Sequence, residues 1–254
     1  MCFNKEMTLG FSLFACVLGT WVIRGKGIWD CAQWRRVRIS ACLFWFAFME
    51  FLQFVQYLVI DDCSSMTNKI WTALGWIHIC FQPLFSNIAF SALDKKNLER
   101  NTPRNETWTY IIRFSFLAGL AMSLRILIPA IYDKQTWFPL CDPEIEGVCG
   151  PRTCSTTGFY HVQWEFFMLK PLYPFPNIAM HFLNMFVAPI LMGQAAGSIL
   201  LFLTGPFIAV FFPARDGERA AIWCFFSIAE SFITIMTQYL AVRNAQKKTL
   251  KKMK

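Results

Sequence analysis

Eight polar or ionisable side chains stand inside long apolar runs of this sequence: Glu50, Gln53, His78, Gln82, Arg125, His181, Asn184 and Glu230. In a membrane segment such groups are costly, and they mark solute pathways, proton relays or buried ion pairs. Their spacing is helical. Glu50, Gln53 and Tyr57 stand at i, i+3 and i+7 and share a face, as do His78 and Gln82 at i and i+4. Asn177, His181 and Asn184 form a third stripe; Trp223, Ser227, Glu230 and Thr234 form a fourth. At about 1.5 Å of rise per residue, Gln53, His78, Arg125 and His181 fall at one depth, with Glu50 and Glu230 nearer the middle of the span. That convergence predicts one polar intramembrane cavity open to the exoplasmic side, with Arg125 neutralised by Glu50 or Glu230. The chemistry it suits is binding or transport of a small solute, an ion or a proton.

The elements that must position these groups follow from composition. The chain has 254 residues, 56% of them hydrophobic, with 27 Phe and 10 Trp. Charged residues make up 16%, against about 25% in a soluble domain. Disordered, collagenous and coiled-coil classes are excluded, as is an ordinary soluble enzyme. Seven apolar runs approach the roughly 20 residues needed to cross a bilayer: about 7–23, 37–60, 69–93, 109–132, 175–193, 195–213 and 219–242. The expected fold is all-α, a polytopic bundle of seven transmembrane helices in one domain. The fifth and sixth runs meet across Gly193–Gly197, which favours a tight helical hairpin over one long span.

Loop charges predict the orientation. With the N-terminus outside, fifteen Lys/Arg fall in inside segments and seven in outside ones. The net charge of +8 comes mostly from the tail 243–254, which holds six Lys/Arg and no acid. A basic cluster directly after an apolar helix reads as a cytoplasmic contact with anionic lipid headgroups, not as a nucleic-acid footprint. The first run lacks a basic leader and a small-residue cleavage site, so it is expected to stay in an integral membrane protein. Which membrane, and the oligomeric state, are left open.

Cysteine usage agrees. Of ten cysteines, Cys141, Cys149 and Cys154 lie in the long fourth loop, about 133–174, on the expected exoplasmic side, where disulfides persist. Cys149 with Cys154 is a plausible local bridge, although spacing does not fix connectivity. In the same loop, His161 and Glu165 flank an aromatic, polar segment. It is expected to lie in the membrane interface in preference to forming a lid. The sequon Asn105-Glu106-Thr107 falls on the inside and is expected to be unglycosylated.

The start Met1-Cys2-Phe3, the Glu50 region, the His161 segment and the run Ile222-Trp223-Cys224-Phe225-Phe226 together resemble an uncharacterised family. Its members are seven-helix membrane proteins that begin Met-Cys-Phe-Ser and carry Trp-Cys-Phe in the last helix. Here Asn4 replaces the serine, and the fourth loop is longer and richer in Cys. The resemblance implies architecture and no activity. It directs attention to Cys2 and Cys224, at the outer ends of the first and last helices. They are either a thiol pair that approaches in a closed bundle or two small buried residues.

Two other functions stay open. In plan the chain is similar to the seven-helix ceramidase and progestin-receptor-like superfamily. A membrane-embedded zinc hydrolase would then use His78, His181 and His161 as ligands and Glu50 as general base. Against it, the three histidines include no i, i+4 pair. A receptor or structural membrane component is the remaining reading. The chain lacks the Asp-Arg-Tyr and Asn-Pro-x-x-Tyr signatures of G-protein-coupled receptors, and the seventh span has no lysine for a retinal Schiff base.

Overall fold

The computed structural model describes residues 4–25, 31–94, 96–97, 102–132, 139–172, 176–226, 232–233, 236 and 240. Asn4 opens α1 (Lys5–Arg24) by accepting the Met7 N–H at 3.0 Å, and Gly25, at φ 66°, closes it. α2 (Gln33–Leu58) and α3 (Met66–Leu93) follow, the latter capped by Ser65. α4 (Pro103–Tyr132) begins on a proline, where a missing N–H costs nothing. These four helices are long and apolar enough to cross a membrane. α5 (Ile178–Leu191) and α6 (Ala195–Val210) are shorter, and α7 spans 216–226.

α5 and α6 form the expected tight hairpin, turning at Gly193, whose φ of 76° suits glycine. Each contains one π-helical turn, Leu183–Val187 and Leu203–Phe207. Pro189 follows the first and Pro206 lies within the second. Proline donates no backbone hydrogen bond, so the local ladder slips to a wider turn.

Successive long helices pack as antiparallel neighbours, α1 on α2, α2 on α3 and α3 on α4. Buried serines tie them: Ser12 Oγ donates to Ala47 O and Ser40 Oγ to Gly19 O, both at 2.9 Å. Small hydroxyl residues let helices approach closely and still satisfy themselves. The opposite face of α1 is apolar and exposed at Leu13, Phe14 and Val17, which suits contact with lipid.

The fourth loop departs from the all-α expectation. Residues Cys154–Thr157 (β1) and Val162–Glu165 (β2) pair antiparallel, with Cys154 opposite Glu165 and Thr157 opposite Val162. Val162, Trp164 and Phe166 are buried on one face, and Gln163 and Glu165 are half-buried on the other. This period of two is a strand pattern. The expected interfacial segment is therefore a hairpin that packs on the ends of α2, α3 and α7. Asn68 fixes it by accepting Ser155 N–H at 2.9 Å and donating to Ser155 O at 2.9 Å.

Two disulfides close this end, Cys63–Cys154 and Cys141–Cys149. They correct the expected Cys149–Cys154 bridge. Cys154 lies on β1 over the α2–α3 turn that carries Cys63, whereas Cys149 bridges to Phe166, just past the end of β2, and is tied to Cys141. At the opposite end of the bundle, buried Asp94 accepts Arg104 Nε at 2.5 Å and Trp108 Nε1 at 2.9 Å. Arg35 reaches Asn97 O at 2.7 Å, and Arg38 reaches Ser91 Oγ at 2.8 Å. The basic residues there are thus anchored to the C-terminal end of α3.

Candidate functional site

The hairpin carries His161 into the polar face of α2. His161 is fully buried, with Nε2 3.0 Å from Gln53 Oε1 and Nδ1 2.5 Å from the Tyr57 hydroxyl. Gln53 Nε2 donates to Ala221 O at 3.2 Å, so its Oε1 is an acceptor. His161 Nε2 therefore carries the hydrogen, and Nδ1 accepts from Tyr57. Glu218, near the start of α7 and itself buried, accepts the backbone N–H of His161 at 2.8 Å and that of Tyr160. Gln56 joins the same roof, accepting Trp164 Nε1 and donating to Trp71 O, both at 2.8 Å.

Close approach of α7 to β2 is possible because residue 217 is glycine. A Cβ there would stand 2.0 Å from the Trp164 carbonyl oxygen. No larger residue fits without moving backbone.

One turn below Gln53, Glu50 is fully buried, and neither carboxyl oxygen has a hydrogen-bond partner among the described residues. Gln82 on α3 donates to Cys224 Sγ at 3.4 Å, and its Oε1 has no partner among the described residues. Glu50, Gln53, Gln82, Cys224 and His161 are thus enclosed between α2, α3 and α7 beneath the hairpin. The expected polar face is present, but a roof of Tyr57, His161 and Trp164 covers it where an open mouth was expected.

The other expected members serve elsewhere. Arg125 does not pair with Glu50. Its guanidinium makes a two-pronged contact with Glu146, at 2.9 and 2.5 Å, and donates twice to Leu169 O at 3.0 and 2.9 Å. The long loop folds back and supplies both partners, so α4 needs no carboxylate from another helix. His78 donates from Nε2 to Trp45 O at 2.7 Å and stacks on the Trp45 ring at 4.3 Å. His181 meets the Trp223 ring edge-on, with centroids 6.0 Å apart. Asn184 binds Asn87 through its carbonyl at 3.0 Å and accepts Ser115 Oγ at 3.1 Å. Asn177 caps α5 by accepting Met180 N–H at 3.0 Å. Equal depth along a helix does not bring two groups together when their faces point apart. Glu230 and Cys2 lie outside the described residues.

The histidines do not assemble a zinc site. Among the described residues, no three His, Cys, Asp or Glu side chains gather to hold a metal. His78, His161 and His181 bind a carbonyl, a glutamine with a tyrosine, and an aromatic edge in turn. Sequence reasoning missed Gln56, Trp164 and Glu218 as parts of the roof. The alternation Val162, Trp164, Phe166 was the available signal for Trp164, and the i, i+3 spacing from Gln53 was that for Gln56. Glu218 carried none, because its partners are backbone groups 57 and 58 residues away.

Residues 15–246 match the model of a family of unknown function, DUF5765. The chain belongs to that family. No curated protein matches it, and no solved structure does. The matched region includes every roof residue and Glu50, so the site described here lies within what the family model covers. It also contains Trp223-Cys224-Phe225, whereas Met1-Cys2-Phe3 precedes it.

A pH dependence follows from His161. Burial under the hairpin pushes its pKa from 6.5 down to about 3. As pH falls, the unfolded chain takes up the proton first, so the neutral imidazole is the stabilising form. Its contribution is whole above pH 6.5 and is lost progressively toward pH 3. The unfolding temperature of the full chain in detergent should therefore fall more steeply between pH 6.5 and 4 than that of His161→Gln. Parallel curves would refute the assignment.

Proposed function

We propose that this is a seven-span membrane protein, N-terminus exoplasmic and C-terminus cytoplasmic, that binds and transfers a proton at Glu50. Glu50 carries the reading: it is wholly buried in a helix of membrane-spanning length, with no hydrogen-bond partner among the described residues. An ionisable group in such a place is expensive to keep and is retained for function. The directed hydrogen bonds from Tyr57 through His161 to Gln53 end one turn above it. Gln82, on the neighbouring α3, has a buried oxygen with no partner among the described residues. These groups form the polar column between the hairpin side and the middle of the bundle.

Two facts support the orientation. Both disulfides lie at the hairpin end, as an oxidising exoplasmic side requires. Arg35, Arg38 and Arg104 gather at the other end around Asp94, as cytoplasmic arginines do. The basic tail 243–254 then meets anionic headgroups of the inner leaflet.

Proton flux decides the function. The full chain is reconstituted in liposomes carrying a pH-sensitive dye and subjected to a pH step. Wild type should acidify the lumen faster than empty vesicles, and Glu50→Gln, nearly the same size, should remove the excess while unfolding at the same temperature. Equal flux in Glu50→Gln and wild type would sink the proposal, as would wild-type vesicles no leakier than empty ones.

A further inference from the structure

On the hairpin side, α3, α5, α6 and α7 leave a groove of about 440 Å³ between them. That volume is in the range of ligand sites. Phe182, Phe202 and Trp223 line it, and its mouth is formed by Ile178, Phe207 and Val210, which are 44%, 44% and 64% exposed. These mouth residues continue the apolar exposed surface of α6 at Leu203 and Phe211. In a chain with helices of membrane-spanning length, such a mouth opens toward lipid chains.

The polar part of the groove is confined to one end. Glu146 from the long loop and Asp216 and Arg219 from the start of α7 form its rim. Arg219 Nη1 lies 3.0 Å from Asp216 Oδ1, and both side chains are partly exposed. Glu146 is already neutralised by Arg125. The rim thus presents one adjacent anion and cation with no net charge. It complements a zwitterion, with a phosphate on Arg219 and a cationic amine on Asp216.

A third feature lies deeper. Trp223 is one helical turn below Arg219, about 6 Å along α7. It is 6% exposed and lines the groove, and its Nε1–H has no acceptor among the described residues. A buried indole N–H ordinarily finds a partner. Hydrocarbon offers none; an ester carbonyl one step below a phosphate does. The π-helical turn Leu203–Phe207 widens α6 at this mouth, and such turns recur at functional sites.

We propose that this groove binds a zwitterionic, ester-linked glycerophospholipid from the leaflet on the hairpin side. One acyl chain lies between α5, α6 and α7, an ester carbonyl accepts from Trp223, and the headgroup rests on Arg219 and Asp216. None of Glu50, Gln53 or His161 lines this groove, so the site stands independently of the proton reading.

The test uses the full chain, stripped of lipid in detergent and reloaded from mixed micelles, with retained lipid read by native mass spectrometry. Dioleoylphosphatidylcholine should be retained at one molecule per chain. The ether-linked analogue, which lacks the carbonyl, should be retained about fivefold less well, the worth of one hydrogen bond. Dioleoylphosphatidylglycerol and oleate should also be retained less well. Trp223→Phe should make ester and ether lipids equal; being a ratio on one preparation, this readout is not mimicked by partial unfolding. Val210→Trp, at the exposed mouth, should cut phosphatidylcholine retention about tenfold, the effect of losing roughly one well-filled contact. Ile178→Trp on the facing helix should do the same. The proposal is overturned if wild type retains no phosphatidylcholine, if it retains oleate or phosphatidylglycerol equally well, or if both Trp variants match wild type. Persistence of the ester preference in Trp223→Phe would likewise overturn the assigned contact.

Discussion

Replacing Arg125 with methionine is expected to destabilise the protein by about 3–5 kcal/mol, the cost of removing one member of a buried ion pair. The guanidinium is 2% exposed, and Glu146 is 14% exposed. Arg125→Met leaves that carboxylate under the loop with no cation and deprives Leu169 O of both side-chain donors. The loss arises chiefly from the stranded charge, so it should be reversible without restoring the arginine. Arg125→Met combined with Glu146→Gln should regain most of the stability, because two neutral groups are cheaper to bury than one unpaired ion. Denaturant unfolding of the full chain in detergent, for both single variants and the double, measures the coupling. A double variant as unstable as the summed singles would show that the pair is not the source. A single Arg125→Met variant indistinguishable from wild type would remove the argument altogether.

The second large effect is that of the disulfide over the roof. Cys63 and Cys154 are 91 residues apart, whereas Cys141 and Cys149 are only 8 apart. A cross-link stabilises mainly by restricting the unfolded chain, and its worth grows with the logarithm of the loop. The Cys63→Ser, Cys154→Ser double variant should therefore lose about 4–5 kcal/mol, and the Cys141→Ser, Cys149→Ser double variant about 2–3 kcal/mol. The hairpin keeps other ties in the first case: Thr157 donates to Asp61 through its backbone N–H at 2.7 Å and its hydroxyl at 2.6 Å. Thr72 and Ser155 hydroxyls meet at 2.6 Å. The roof should stay folded and become easier to open, so the His161 amide should lose hydrogen-exchange protection before the α2–α3 core does. Equal losses in the two double variants, or a larger loss for the short loop, would contradict the assignment.

The two predictions concern the same region for a physical reason. The polar face of α2 carries Glu50, Gln53, Gln56 and Tyr57 into an otherwise apolar bundle. The hairpin supplies a partner to three of them, through His161 and Trp164. Whatever loosens the hairpin strips hydrogen bonds from groups that cannot reach water, and buried polar groups without partners cost far more than the bonds contribute. Glu50 is the exception. It stands below the reach of the hairpin, which is why the proton reading rests on it and not on its better-satisfied neighbours.

Helix positions were legible without the structure. A run of apolar residues long enough to cross a membrane is a local property, and the four long helices fall on the expected runs, although α2 starts four and α4 six residues earlier than expected. The turn at Gly193 was legible for the same reason, since positive φ and a break in periodicity are written into neighbouring residues. Which polar residues share a helix face was legible too: Glu50 and Gln53 do stand on the buried face of α2.

Pairing between elements was not. Arg125 found Glu146 and not Glu50, because a loop residue 21 positions onward folds back over α4, and sequence spacing carries no sign of that return. Cys154 joined Cys63 across 91 residues and passed over Cys149, only five positions away, because it opens β1 against the α2–α3 turn while Cys149 is bridged to Cys141. The π-helical turns depend on how α5 and α6 pack as well as on Pro189 and Pro206. The apolar groove depends on four helices failing to close. The sequence by itself determined how much apolar surface had to be buried, where the chain turns, and which polar groups each helix must accommodate. Only the tertiary structure decided which of those groups meet, because that depends on helix rotation and loop return, and no local pattern encodes either.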